Sequence, residues 1–255
     1  IPIFGTRHVV TLATLLMFVQ CIGIGLAVMN PDTPYWVFLA LAFSAGFGGG
    51  DFSSYMPSTS IFFPKRLQGT ALGIQAGIGN FGVSLAQFVT PWIIGLAVFG
   101  AVAGGPQLFT KAGVSSPVWL QNAAFWYVPL LVILGFLTWK FLRSVPVKAS
   151  FKEQLDIFGN KHTWFCTITY VMTFGSFSGL AATFPLLIKM VYGGFPGAPD
   201  PLTYAFLGPL IGSVMRIAAG PITDRTGGAI LTHFAGIGLM ASAIIMALSG
   251  VLVPT

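Results

Sequence analysis

Seven apolar runs, most of about 20 residues or more, alternate with short segments that hold nearly all the charge. They extend from Val9 to Met29, Trp36 to Phe63, Gly69 to Ala103, Val118 to Leu142, Thr163 to Met190, Leu202 to Pro221 and Ala229 to Val253. A hydrocarbon layer of about 30 Å is crossed by about 20 residues of α-helix, so each run predicts a membrane-spanning helix. Tilt, kinks or loop ends must absorb the excess length of the longer runs. Pro57, Pro91, Pro129, Pro185 and Pro209 mark candidate kinks. No soluble domain fits between the runs.

The third run is unusual. In GTALGIQAGIGNFGVSLAQF, residues 69–88, Gly69, Gly73 and Gly77 recur every fourth position, followed by Gly79 and Gly82. Glycine at this spacing makes one smooth stripe on a helix, along which a neighbouring helix can pack closely and slide. Asn80 lies beside that stripe and reaches either a neighbouring helix or a ligand. AGFGGGDFSSYM in the second run is also glycine-rich, and fits helix packing or the wall of a site around Phe52.

Composition agrees with a lipid environment. The 255 residues are 55% hydrophobic and 7% charged, and the mean hydropathy is +0.85. Soluble domains carry about 25% charged residues, and this chain lacks the polar surface to stay dissolved. The net charge of +6 is scattered one or two residues per connection, which argues against a nucleic-acid surface. Arg7, Lys65, Arg66, Lys140, Arg143, Lys148, Lys152, Lys161 and Arg225 all fall on one side of the predicted membrane; Lys111 and Lys189 fall on the other. Nine against two places the first group in the cytoplasm. The chain starts at Ile1 without an initiator Met and ends just after an apolar run. It is therefore read as an internal piece of a longer protein.

Candidate chemistry is sparse. Arg216 is the one Lys or Arg well inside a run, and Asp51 is its acidic counterpart. A deep arginine needs water or a partner. Its guanidinium can give two parallel hydrogen bonds to a planar oxyanion, or it can pair with a carboxylate such as Asp51. Tyr170 and Phe174, four residues apart, share a helix face and either wall a small site or simply pack. Asp224 and Arg225, in GPITDRTGG at a cytoplasmic turn, read as a gate or hinge element, with Asp able to cap a helix start. FKEQLDIF, inside the connection 143–162, is either a short amphipathic surface helix or a solvated linker.

Little supports catalysis. The glycine patterns lie inside apolar runs and not after a soluble strand, so no nucleotide loop is read. No Ser-His-Asp or Cys-His constellation is present. His8, His162 and His233 sit at span edges without metal or haem spacing, and Cys21 and Cys166 suggest neither a disulfide nor a metal. No cofactor is expected.

AGFGGGDFSSYMPSTSIFFPKRLQGTALGIQAGIGNFGVSLAQFVTPW resembles the nitrate/nitrite porter family of the major facilitator superfamily. GIQAGIGNFG looks like that family's first nitrate signature, in its fifth helix. TFGSFSG and FLGPLIGSVMRIAAGPITDRTGG look like its seventh and eighth helices. GPITDRTGG is also similar to the superfamily loop motif G-x-x-x-D-R-x-G-G. The likeness covers nearly the whole chain.

The resemblance implies an all-α, polytopic membrane protein of the inner (cytoplasmic) membrane, a partial major facilitator bundle of about seven transmembrane helices. Residues 1–142 would hold helices three to six, 143–162 the central cytoplasmic linker, and 163–255 helices seven to nine. It implies alternating-access transport of nitrate or nitrite, by exchange or with protons, in a monomer embedded in the lipid bilayer. By position, Arg216 matches a nitrate-binding arginine, and Tyr170, Phe174 and Phe52 match aromatics that sandwich the flat anion. Asn80 matches the signature amide, and Gly73, Gly77, Gly79 and Gly82 the packing glycines. There are departures. The family's second binding arginine, in its second helix, would fall upstream of Ile1 and its second signature, in the eleventh helix, beyond Thr255, so neither is in this sequence, and Ala76 stands where family members often have Gly. Asp51 stands where Asn is common, which makes it a candidate for ion coupling. Other readings are a transporter of a different small anion, a membrane subunit of an oxidoreductase, and a sensor without transport. The oxidoreductase reading would call for paired intramembrane histidines.

Overall fold

The computed structural model describes residues 4–99, 103–111, 114–144 and 150–252; a few side chains, that of Asp51 among them, lie outside the description. Contacts divide the chain into two compact units, Ile1–Ile61 with Val89–Ser150 and Phe62–Phe88 with Phe151–Thr255.

The first unit contains α1 (Thr6–Met29), α2 (Tyr35–Phe62, whose last residue belongs to the second unit), the end of α3 (Gln68–Ile93), α4 (Asn122–Phe125) and α5 (Tyr127–Phe141). Small and hydroxyl side chains let these helices meet. Thr6 and Ser58 hydroxyls are 3.1 Å apart, and Thr11 donates to Thr138 at 3.4 Å. At Gly25 a Cβ would run into the Phe125 ring, so only glycine fits there. Of the four glycines before Phe52, Gly48 abuts Met17, while Gly46, Gly49 and Gly50 have nothing within 4 Å of a Cβ position among the described residues.

One segment departs from the expected all-helical chain. The third run was expected to be apolar to Ala103, but α3 stops at Ile93. An antiparallel hairpin follows, β1 (Gln107–Lys111) and β2 (Val114–Val118), pairing Gln107 with Val118 and Lys111 with Val114. Gly104, Gly105 and Pro106 cannot continue a helix, and Gly104 has φ +80°. A polar clasp ties the hairpin down. Gln121, 0% exposed, donates to the carbonyls of Ala103 and Gly105 and accepts from Gln107. Asn122, also 0% exposed, donates to the carbonyls of Ile93 and Leu96 at the end of α3.

The second unit holds most of α3, then α6 (Phe151–Leu155), α7 (Lys161–Tyr170), α8 (Ser176–Tyr192), α9 (Pro201–Tyr204), α10 (Leu207–Thr226) and α11 (Gly228–Leu252). FKEQLDIF does form a short helix, α6, followed by a 3₁₀ turn. Asn160 caps α7 by accepting from His162 N–H, and Asp200 caps α9 by accepting from Leu202 N–H. Between α7 and α8 the fifth run contains a π-helical turn, Val171–Gly175. Pro57, Pro91 and Pro185 lie inside helices, and so does Pro221. Pro129 and Pro209 instead fall in the first turn of α5 and α10, where the missing N–H matters little, so they are not kink positions.

Burial runs opposite to that of a soluble protein. Large apolar side chains such as Phe43, Trp92, Phe165 and Met190 face outward, while Ser84 and Ser213 are only 2% and 1% exposed. Among the described residues, five helical segments are long and apolar enough to cross a membrane: Thr6–Met29, Asn122–Phe141, Lys161–Tyr192, Pro201–Thr226 and Gly228–Leu248. At 28 and 26 residues, α2 and α3 match them in length.

Candidate functional site

The second unit answers why an apolar helix tolerates so much glycine. On α3, Gly69, Gly73 and Gly77 lie against α10. A Cβ at Gly73 would sit 3.1 Å from both the Arg216 carbonyl oxygen and the Gly220 Cα; one at Gly77 would sit 2.9 Å from the Ser213 carbonyl oxygen. Gly220 returns the contact, with the Gly69 carbonyl oxygen 2.9 Å from its Cβ position. Two helix backbones therefore touch directly, as small-residue stripes permit. Further along the same face, the Ser84 hydroxyl donates to the Phe206 carbonyl at 2.8 Å, and the Gln87 amide donates to the Ala181 carbonyl at 2.9 Å.

Asn80 falls between these contacts, one turn beyond Gly77 and one turn before Ser84, and is half-buried. Gly79 and Gly82 belong to the opposite face. No described atom comes within 4 Å of a Cβ position at either one, so neither takes part in this seam. At 100° per residue they point away from Gly73 and Gly77.

Arg216 projects from the middle of α10 and is half-buried. Its guanidinium interacts electrostatically with the Tyr170 phenol at the end of α7. The Tyr170 ring stacks on Phe174, with centroids 5.2 Å apart and planes 4° from parallel. Phe174 lies in the π turn, a widened turn of the kind often found at functional sites. Arg216, Tyr170 and Phe174, taken from separate parts of the sequence, thus come together on one unit. Phe52 stands on α2 in the first unit and is half-buried; the Asp51 side chain next to it lies outside the described residues.

A cavity of about 1420 Å³ lies between α8, α10 and α11. Its walls are chiefly apolar, including Phe177, Leu180, Leu239 and Met240, and Arg216, Tyr170, Phe174 and Asn80 are not among its lining residues. The cavity is therefore not the candidate anion site.

Asp224 lies in the last turn of α10. Its Oδ1 accepts from the Gly69 N–H at 2.6 Å, and its Oδ2 accepts from the Thr70 N–H at 2.8 Å and the Thr70 hydroxyl at 2.6 Å. The carboxylate caps a helix start, but the helix is α3 and not its own neighbour in sequence. Arg225 beside it is exposed. Sequence reasoning did not find Thr70, Ser84, Gln87, Phe177 or the π turn. Phe177 did carry a signal, since it stands three residues after Phe174 and seven after Tyr170.

Comparison with known proteins decides the family. The profile described as Major Facilitator Superfamily matches residues 2–255. The chain belongs to the major facilitator superfamily. It is similar to a protein of Thermus thermophilus named probable nitrate/nitrite antiporter NarK2, 65% identical over 97% of this chain and 56% of that protein. It is also similar to the nitrate/nitrite transporter NarU of Escherichia coli, 38% identical over 98% of this chain and 53% of the relative. The nitrite extrusion protein of Bacillus subtilis is 26% identical over 96% of this chain. The chain spans about half the length of the curated relatives it matches. The superfamily is one of transporters and not enzymes, and its apolar helices make this major facilitator chain a multi-pass protein of the cytoplasmic membrane.

Proposed function

We propose that the intact protein carries nitrate or nitrite across the cytoplasmic membrane by alternating access, in exchange for one another or together with protons. The names of its relatives support this substrate class. The observation that carries the reading is the half-buried Arg216 guanidinium in electrostatic interaction with Tyr170, whose ring stacks flat on Phe174. Nitrate and nitrite are flat, delocalised anions. A guanidinium supplies charge and two coplanar donors, while ring faces favour flatness. Phe52 would provide a further ring and Asn80 an amide donor. Asp51 would tune ion coupling.

Residues 1–142 and 163–255 would belong to two halves joined by the cytoplasmic linker 143–162, which rock about a central site. The close backbone contact of Gly73 and Gly77 with α10 suits rearrangement at low steric cost. Asp224, with Arg225 beside it, would act as a latch that makes and breaks at the cytoplasmic end. The protein would work as a monomer.

The test uses the full-length protein in proteoliposomes. Nitrate/nitrite counterflow is expected for the parent. Arg216→Lys keeps the charge but loses the fork, and should weaken nitrate binding by about 100-fold or more. Near-parental uptake by Arg216→Lys rejects the site. Absence of nitrate and nitrite flux in the parent, with flux of another anion, rejects the substrate class.

A further inference from the structure

The candidate anion site has a second tier. Tyr170 and Phe174 do not stand alone: Phe177, at the start of α8, continues the row, its ring centroid 6.2 Å from that of Phe174 and tilted by 36°. The far edge of the Phe177 ring rests on α10. At Gly212 a Cβ would lie 3.0 and 3.3 Å from two carbons of that edge, tighter than an ordinary van der Waals contact. Gly212 precedes Arg216 by four residues, one helical turn of about 5.4 Å on the same face. Starting at the α10 backbone at Gly212, ring contacts pass through Phe177 and Phe174 to Tyr170, whose phenol interacts electrostatically with Arg216 on the same helix.

Both ends of the row are thus referred to one rigid turn of α10. The bare backbone at Gly212 lets Phe177 settle against the helix, and Phe177 in turn supports Phe174, which lies in the π turn. A π turn is a weak brace by itself, since its wider ring of backbone atoms packs less tightly than a regular helix. The rings need an outside support to hold a fixed distance from the guanidinium.

We infer that Phe177, seated on Gly212, is a positioning residue that sets where the Phe174–Tyr170 stack stands relative to the anion site. This rests on the proposed anion-binding role of that stack. Phe177 itself does not touch the anion; its other face borders the apolar cavity between α8, α10 and α11. The chemistry asked of Gly212 is only the absence of a Cβ.

The experiment measures nitrate and nitrite dissociation constants of the purified full-length protein, with thermal melting alongside. Gly212→Ala is expected to weaken nitrate binding about tenfold and to change the nitrate-to-nitrite affinity ratio, because a sub-ångström displacement of the rings alters the fit to the anion. Phe177→Leu alone is expected to cost about threefold and also to change the ratio. The double variant is expected to bind better than Gly212→Ala, since the shorter side chain clears the new methyl group, a coupling that only residues in contact show.

Parental affinity in Gly212→Ala, or a double variant as weak as the product of the two single losses, overturns the inference. If Gly212→Ala does not fold, Phe177→Leu decides: unchanged affinity and ratio also overturn it. Arg216→Lys serves as the reference. Intact binding in Arg216→Lys defeats the anion site itself, whereas lost binding there with inert Gly212 and Phe177 variants defeats only the positioning role.

Discussion

Arg216 and Asp51 both break the rule that ionisable groups stay out of apolar spans. Arg216 interacts electrostatically with a phenol whose ring is stacked on a second ring, as the proposed anion site requires. Asp51 follows Gly50 on α2. An acid can exchange a proton as the site opens to either side, and an amide of the same shape cannot. Asp51→Asn in the full-length protein is therefore expected to keep nitrate binding but to flatten the pH dependence of uptake. Initial rates between pH 5 and 8 in proteoliposomes with an imposed pH gradient measure this. An unchanged pH profile removes Asp51 from coupling.

At the scale of the element, the α3–α10 pair carries the argument. Its glycines bring two backbones into contact, and the Asp224 carboxylate closes one end with three hydrogen bonds to the first turn of α3. Helix starts expose unsatisfied N–H groups, and an anionic oxygen there is favoured by both hydrogen bonding and the helix dipole. Asp224→Asn keeps one acceptor oxygen and turns an NH₂ group toward the donors of Thr70. The Gly69 and Thr70 amides should then exchange hydrogen about tenfold faster or more, read by mass spectrometry on a peptide spanning Gln68–Leu72. Equal exchange in the two proteins dismisses the latch.

The same pair shows what a sequence can disclose. The stripe Gly69, Gly73, Gly77 is legible because close helix contact in lipid demands small residues at that spacing. Its partner is not, since nothing in Gly220 or Ser213 names α3. Arg216 is legible as a lone charge, and Tyr170 with Phe174 as a shared face. That they meet is a tertiary fact. The π turn left no mark, because Val171–Gly175 reads like any helical segment. The hairpin was hidden for a different reason. Its five-residue strands are too short to establish an alternating pattern, and Val118 merges with the apolar run that follows.

For the whole molecule, charge and chain direction together set the orientation in the membrane. Successive spans alternate in direction, so the start of α7 and the β1–β2 hairpin should face opposite sides. The basic residues distribute nine to two between those sides, and the richer side belongs in the cytoplasm. The hairpin carries Lys111, and its clasp of Gln121 and Asn122 gives it a defined form at the C-terminal end of α3. Single cysteines at Thr110 and Lys161, both exposed, report the two sides once Cys21 and Cys166 have been replaced by alanine. In intact cells expressing the full-length protein, an impermeant maleimide should label Thr110→Cys and leave Lys161→Cys unlabelled until the membrane is opened. The reverse pattern would invert the orientation, and with it the assignment of the Asp224 latch to the cytoplasmic end. Labelling of both sites in sealed cells would mean that the run from Asn122 to Phe141 does not cross the membrane.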